Sequence, residues 1–227
     1  MALVLTGLFV PGSLWYLRWS DAQLPGMAEG LGEIAQERAA RDEAAGALEA
    51  ALAHYQRALA GRFHGPQNRN HCEKRAGVVL MRLGRYAEAL PHLQRAQTGP
   101  HRSLNGYGPL AETLLALDRD AEARAVAERW RDEAGTDPRA RADAAAMLGR
   151  IAYRAGDYNA AREAYREADA IDPGHASQAE WARMLAEQGD LGAARAVLAA
   201  YLAVAESGDR SAEDWDLLVS WSTSTAQ

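Results

Sequence analysis

The chain has 227 residues, 48% of them apolar, with 25 Lys and Arg against 31 Asp and Glu, a formal charge of −6. This length holds one large domain or one repeat array with a real core, and the composition excludes a disordered tail. Fifty alanines and 24 arginines beside three isoleucines and two phenylalanines argue for helix and against a sizeable sheet, and the lone Cys72 excludes a disulfide framework and a Cys-cluster zinc site.

In chain order, residues 1–20 form an apolar N-terminal segment, and Met1 to Leu17 carries no charge. Such a run spans about 25 Å as helix, against a hydrocarbon core of about 30 Å. Pro11, Gly12 and Ser13 interrupt it. No basic residue precedes it and no A-x-A site follows, so it is a poor secretory signal. Trp15, Tyr16 and Trp19 beside Arg18 have the chemistry of an interfacial aromatic belt. Two readings stand. Residues 1–19 contact a membrane and make the chain membrane-associated, or they pack on the first helices of a cytoplasmic protein.

Residues 21–208 repeat themselves. A turn signal recurs as Ala45-Gly46-Ala47-Leu48, Leu83-Gly84-Arg85-Tyr86, Leu117-Asp118-Arg119-Asp120, Ala155-Gly156-Asp157-Tyr158 and Gln188-Gly189-Asp190-Leu191. An alanine follows each at a fixed offset: Ala51, Ala89, Ala123, Ala161 and Ala194, at gaps of 38, 34, 38 and 33 residues. This period signals a stacked helical array. Small and apolar residues at helical spacing around each turn, such as Ala161, Tyr165 and Ala168, predict about five antiparallel helix pairs.

The fourth unit has the fullest pattern: Leu148-Gly149, Gly156-Asp157-Tyr158, Ala161, Tyr165, Ala168 and Pro173. Gly149 and Ala161 are small where paired helices cross, Tyr165 fills the gap beside them, and Pro173 stops the second helix. Asp137-Pro138 predicts an N-cap and a first helical position. Across residues 30–205 this pattern resembles the tetratricopeptide repeat family, of bacterial type. Trp130 stands where that family usually has alanine. The resemblance implies an all-α fold, a right-handed superhelical solenoid of antiparallel helix pairs. It says almost nothing about function.

Residues 209–227 are predicted to close the array with a C-terminal capping helix. Ser211-Ala212-Glu213-Asp214 is a variant capping box, and Trp215, Leu218, Val219 and Ser222 follow at helical spacing. Trp215 and Leu218 are predicted to face the last repeat. A partner-binding amphipathic helix is the alternative.

Catalytic and cofactor motifs are missing. No H-E-x-x-H, G-x-S-x-G, P-loop or EF-hand string occurs. Gly106-Tyr107-Gly108-Pro109-Leu110-Ala111 fits a dinucleotide letter pattern but lacks a preceding strand, so it is read as the turn before a repeat helix. His71, Cys72 and Glu73 are adjacent and diverge around a helix, so with His64 nearby they make no metal site. No base is identifiable for Cys72 as a nucleophile. The expectation is a chain that is not an enzyme, with no cofactor, no metal and no nucleic-acid partner.

The resemblance implies that first helices line a concave groove for an extended peptide or a partner helix. Family positions fall on Lys74, Val78, Met81, Arg82, Arg150, Tyr153, Arg154 and Arg183, a mixed apolar and basic set suited to an anionic or amphipathic segment. Lys74 and Arg75 resemble half of a carboxylate clamp, but Val78 and Pro109 replace its asparagines, so chaperone-tail binding is rejected. The function implied is a protein–protein scaffold or adaptor. An accessory portion of a larger bacterial membrane enzyme, such as a glycosyltransferase, is the alternative, and a self-associating structural array a third reading.

Overall fold

The computed structural model describes residues 31–61, 63, 66–99, 101–204 and 212–223. The apolar N-terminal segment, His64 and Ser211 lie outside the described residues. Within them all regular structure is helical, and no strand is present. The helices are α1 (Leu31–Ala44), α2 (Leu48–Ala60), α3 (Pro66–Arg82), α4 (Tyr86–Ala96), α5 (Tyr107–Ala116), α6 (Asp120–Glu133), α7 (Pro138–Arg154), α8 (Tyr158–Ile171), α9 (Ser177–Glu187), α10 (Leu191–Val204) and α11 (Ala212–Thr223). A 3-10 turn, Leu104–Gly106, leads into α5. This is the predicted all-α architecture of five helix pairs and a closing helix.

The five predicted turns share one backbone state. Gly46, Gly84, Gly156 and Gly189 have φ of 76°, 73°, 77° and 84°, and Asp118 reaches 56°. A left-handed residue is the usual way to end a helix and reverse the chain, and glycine adopts it without a Cβ clash. Aspartate tolerates it at a cost. After the turns, Asp157 and Asp190 accept hydrogen bonds at 3.0 Å from the amides of Ala160 and Ala193. Asp137 likewise caps α7 through the Ala140 amide at 3.1 Å, with Pro138 in the first turn.

The chain divides into two compact units, Met1–Arg102 and Ser103–Gln227. In the first, α1 pairs with α2, α3 pairs with α4, and α2 packs on α3. Its core includes Leu52, Tyr55, Cys72, Val79, Leu80 and Leu93. Gly77 allows the close approach of α3 and α4, because a Cβ there would lie 2.6 Å from Leu93 Cγ.

In the second unit α5/α6, α7/α8 and α9/α10 are the pairs, α6 packs on α7 and α8 on α9. A Cβ on Gly149 would meet the Tyr165 ring at 2.9 Å, and Ala161 is fully buried. The same Tyr165 ring stacks on Trp181 of the next repeat, with centroids 5.0 Å apart and planes at 16°. One tyrosine thus fills the crossing of its own pair and carries the core into the following one.

The closing helix α11 packs on α10. Leu217, Leu218 and Trp221 lie against the cluster of Ala179, Leu198, Tyr201 and Leu202. This corrects the predicted face: Leu218 packs inward, but Trp215 is 46% exposed. The inward stripe is Asp214, Leu217, Leu218 and Trp221, a helical face turned away from Trp215. Asp214 decides the rotation, because it is buried and paired with Arg183.

Candidate functional site

In the first unit the sequence-predicted positions lie on α3. Arg75 and Arg82 both reach across to Glu43 of α1, Arg82 at 3.4 Å. Glu43 is buried and also accepts the Tyr55 hydroxyl at 3.1 Å. Burial is the first cause that pushes the Tyr55 phenol up, to about 12. Lys74, one turn before Val78 and Met81, makes no hydrogen bond or ion pair with any described residue. Burial first, then the charge of Arg75, lowers its pKa. Lys74, Val78 and Met81 are each half-buried, and Arg82 is exposed.

The neighbouring Cys72 and Glu73 have structural partners. Cys72 is buried with its thiol donating to the Tyr55 carbonyl at 3.7 Å, and Glu73 accepts from Arg95 at 2.9 Å while contacting His92 at 2.6 Å. Among the described residues no three His, Cys, Asp or Glu side chains are grouped to hold a metal ion. No helix among them is long and apolar enough to cross a membrane.

In the second unit the predicted basic positions each contact acids of a neighbouring element. Arg150 on α7 donates to Glu180 of α9 at 2.7 Å and to Glu112 of α5 at 3.3 Å. Burial opposes its charge, but the Glu180 hydrogen bond and the two carboxylates outweigh that and raise its pKa. Arg154 donates to Asp118 at 2.9 Å and lies 3.3 Å from Asp120. The Tyr153 hydroxyl donates to Glu187 at 3.0 Å. Arg183 pairs with Asp214 of α11. These arginines therefore tie successive helices together, each contact worth about 0.2–1 kcal/mol where it is exposed.

Beside Arg150 lies a cavity of about 270 Å³, lined by α5, α6, α7, α9 and the segment before α9. Trp130 reaches it from α6, and a Cβ on Gly108 would stand 3.3 Å from the indole ring. His175 also lines it. Its Nε2 bonds to Asp143 at 2.9 Å, and its Nδ1 accepts the Ser177 amide at 3.2 Å. The imidazole thereby satisfies an orphan donor in the first turn of α9, a capping role. Because Nδ1 accepts, Nε2 carries the proton to Asp143.

The acidic partners are what the sequence reading missed. Glu112 and Arg150 are one repeat period apart, 38 residues, so opposite charges at equivalent positions of adjacent units were the available signal for that pair, whereas Asp118 aligns with Gly156 and gave no such signal for Arg154.

The comparisons agree with this geometry. Residues 80–148 and residues 142–175 each match a tetratricopeptide repeat model. No curated protein matches the chain in sequence. The crystal structure of TTC0263, a thermophilic TPR protein of Thermus thermophilus, is similar with a TM-score of 0.63 at 21% identity, covering 86% of this chain and 100% of that one. PilW, a type IV pilus biogenesis factor, is similar with a TM-score of 0.62 at 18% identity, covering 85% of this chain and 91% of that one. YrrB, a TPR protein with an unusual peptide-binding site, is similar with a TM-score of 0.52 at 19% identity, covering 83% of this chain and 90% of that one. At these identities the likeness is one of fold. Recurrent left-handed turns, small residues at the helix crossings and the two repeat matches lead to one conclusion: the chain carries tetratricopeptide repeats across residues 80–175.

Proposed function

We propose that this protein is a non-catalytic interaction scaffold, and that α3 holds a segment of a partner protein, an extended peptide or a helix, against Lys74, Val78 and Met81. Tetratricopeptide scaffolds are typically non-catalytic, and the peptide-binding site of YrrB shows that the fold can serve this use. The observation that carries the reading is Lys74. A half-buried lysine with no acceptor among the described residues has lost part of its solvation without gaining a partner. An anionic group on the bound segment would supply one, and Val78 with Met81 would supply apolar contact beside it. Apolar contact is needed, because exposed charge pairs alone contribute little. Binding should weaken with salt without vanishing. In the second unit Arg150, Tyr153, Arg154 and Arg183, read from the sequence as groove residues, each contact an acid of a neighbouring element and are not part of the proposed α3 site.

The test compares partners captured by the full chain with those captured by Lys74→Glu and Met81→Ala. Both variants should lose the partner while keeping the parent's circular dichroism spectrum. Capture equal to the parent's by Lys74→Glu would refute the α3 site.

The reading places the scaffold at a membrane through residues 1–19, on the support of the uncharged run and its Trp15, Tyr16, Arg18 and Trp19 flank. Fractionation of the full chain against a chain beginning at Asp21 tests it, and equal solubility of the two would leave the packing-arm reading. The same run is the support for a second reading, a helical-repeat portion of a larger membrane enzyme.

A further inference from the structure

Two helices carry surface that the fold leaves unused. On α11 the face turned outward holds Trp215 and Val219, one turn apart, 46% and 61% exposed. They are two of the four large apolar side chains exposed among the described residues. Asp216 and Glu213 continue that face, exposed and with no ion pair or hydrogen bond to any described residue. Closing a repeat array calls for a polar outer face, so capping does not account for this one. On α3 the unused surface is Lys74, Val78 and Met81, at i, i+4 and i+7 of one face, with the lysine unpaired among the described residues.

The two surfaces are complementary. α3 carries Arg69, Lys74, Arg75 and Arg82 against one acid, Glu73, which is buried and held by Arg95. α11 carries Glu213, Asp214 and Asp216 and no base. Lys74 to Met81 covers about 10 Å along its helix and Glu213 to Val219 about 9 Å. The wider charge agrees. The first unit holds 9 acids against 12 bases, a net of +3, and the second holds 22 acids against 13 arginines, a net of −9. Copies of such a chain meet most favourably with the first unit of one against the second unit of the next.

We infer that the segment held by α3 is α11 of a second copy of this chain. Trp215 and Val219 lie against Val78 and Met81, and Asp216 supplies the acceptor for Lys74, with Glu213 beside it. Because α11 is already folded and fastened by Arg183, binding it costs less ordering than binding an extended peptide. The contact is heterologous. Each joined pair leaves one α3 and one α11 unused, so copies add on into a ring or an open chain. The inference rests on the α3 site proposed above and names its occupant.

The experiment follows the full chain by sedimentation velocity across micromolar concentrations. The parent's average mass should rise with concentration beyond that of a dimer, and less steeply as salt is added. Trp215→Ala, at an exposed position, should weaken self-association about ten-fold or more, as loss of an aromatic anchor does. Lys74→Glu should do the same, and both variants should keep the parent's circular dichroism spectrum. The decisive step mixes these two variants, with Lys74→Glu fluorescently labelled at its amino terminus. One keeps a sound α11 and the other a sound α3, so together they should form a one-to-one complex that grows no further, although neither binds itself. Asp216→Lys combined with Lys74→Glu should restore growth. A parent that stays monomeric, self-association unchanged in Trp215→Ala, or no complex between the two variants would overturn the inference. A monomeric parent whose captured partner is lost in Lys74→Glu would mean that α3 holds a foreign segment, and the α3 reading would stand. Capture and self-association both unchanged in Lys74→Glu would remove the α3 reading and this inference with it.

Discussion

Arg183 on α9 and the buried Asp214 on α11 form an ion pair that fastens the closing helix to the last repeat. The pair also sets the rotation of α11 and thereby which apolar residues turn inward. Arg183→Ala should destabilise by about 1–3 kcal/mol, less than a fully buried pair because Arg183 is part-exposed. Amide exchange should accelerate in α11 and stay slow in α7 and α8. Uniform acceleration across all three would show that the pair supports the whole unit.

The turn between α5 and α6 is the one predicted turn where a side chain occupies the left-handed state. Asp118→Gly should relieve that conformation and raise stability by about 0.5 kcal/mol, since Arg154 keeps Asp120 as a partner. Gly156→Ala should lower stability by about 1 kcal/mol at the equivalent turn. Urea midpoints that move in the same direction for both would contradict this account.

The crossing of α7 and α8 has no spare room. Ala161→Leu should destabilise by about 1–3 kcal/mol through overpacking. Gly149→Ala should also lower the midpoint, because its new methyl group meets the Tyr165 ring. An unchanged midpoint in both would mean that the crossing yields more freely than its distances imply.

Cys72 should behave as an inert core residue. Burial first, then the charge of Glu73, raises its thiol from 9.0 to about 12. The folded-state value lies above the unfolded one, so the thiol's contribution to stability is full below pH 9 and is lost as pH rises through about 12. Iodoacetamide should label the native chain slowly at neutral pH and rapidly in urea. Fast native labelling would disprove the burial account. Cys72→Ala should also flatten the alkaline loss of stability.

The helix pairs were legible because their determinants are local and recur. Gly46, Gly84, Gly156 and Gly189 mark reversals that need a left-handed residue, and Asp118 holds the same register. Gly149, Ala161 and Tyr165 were legible because a crossing must have small residues opposite a large one. The ion pairs were not legible from one helix at a time. Arg150 reads as an exposed groove cation until the helices on either side bring Glu112 and Glu180 to it. The face of α11 was misread for a related reason. Apolar residues at 215, 217, 218, 219 and 221 offer two stripes, and only the burial of Asp214 beside Arg183 selects one.

The double attachment of Arg150 has a consequence for how this array could change by duplication or loss. Its two carboxylates come from the preceding and the following repeat. Excising α7 and α8 would set the helix that carries Glu112 beside the one that carries Glu180, with two negative groups facing and nothing between them. Copying the pair in tandem would set arginine against arginine. The repeats of this stretch are therefore not exchangeable cassettes. Their order is fixed by alternating sign, and any shuffling would need a charge reversal alongside it.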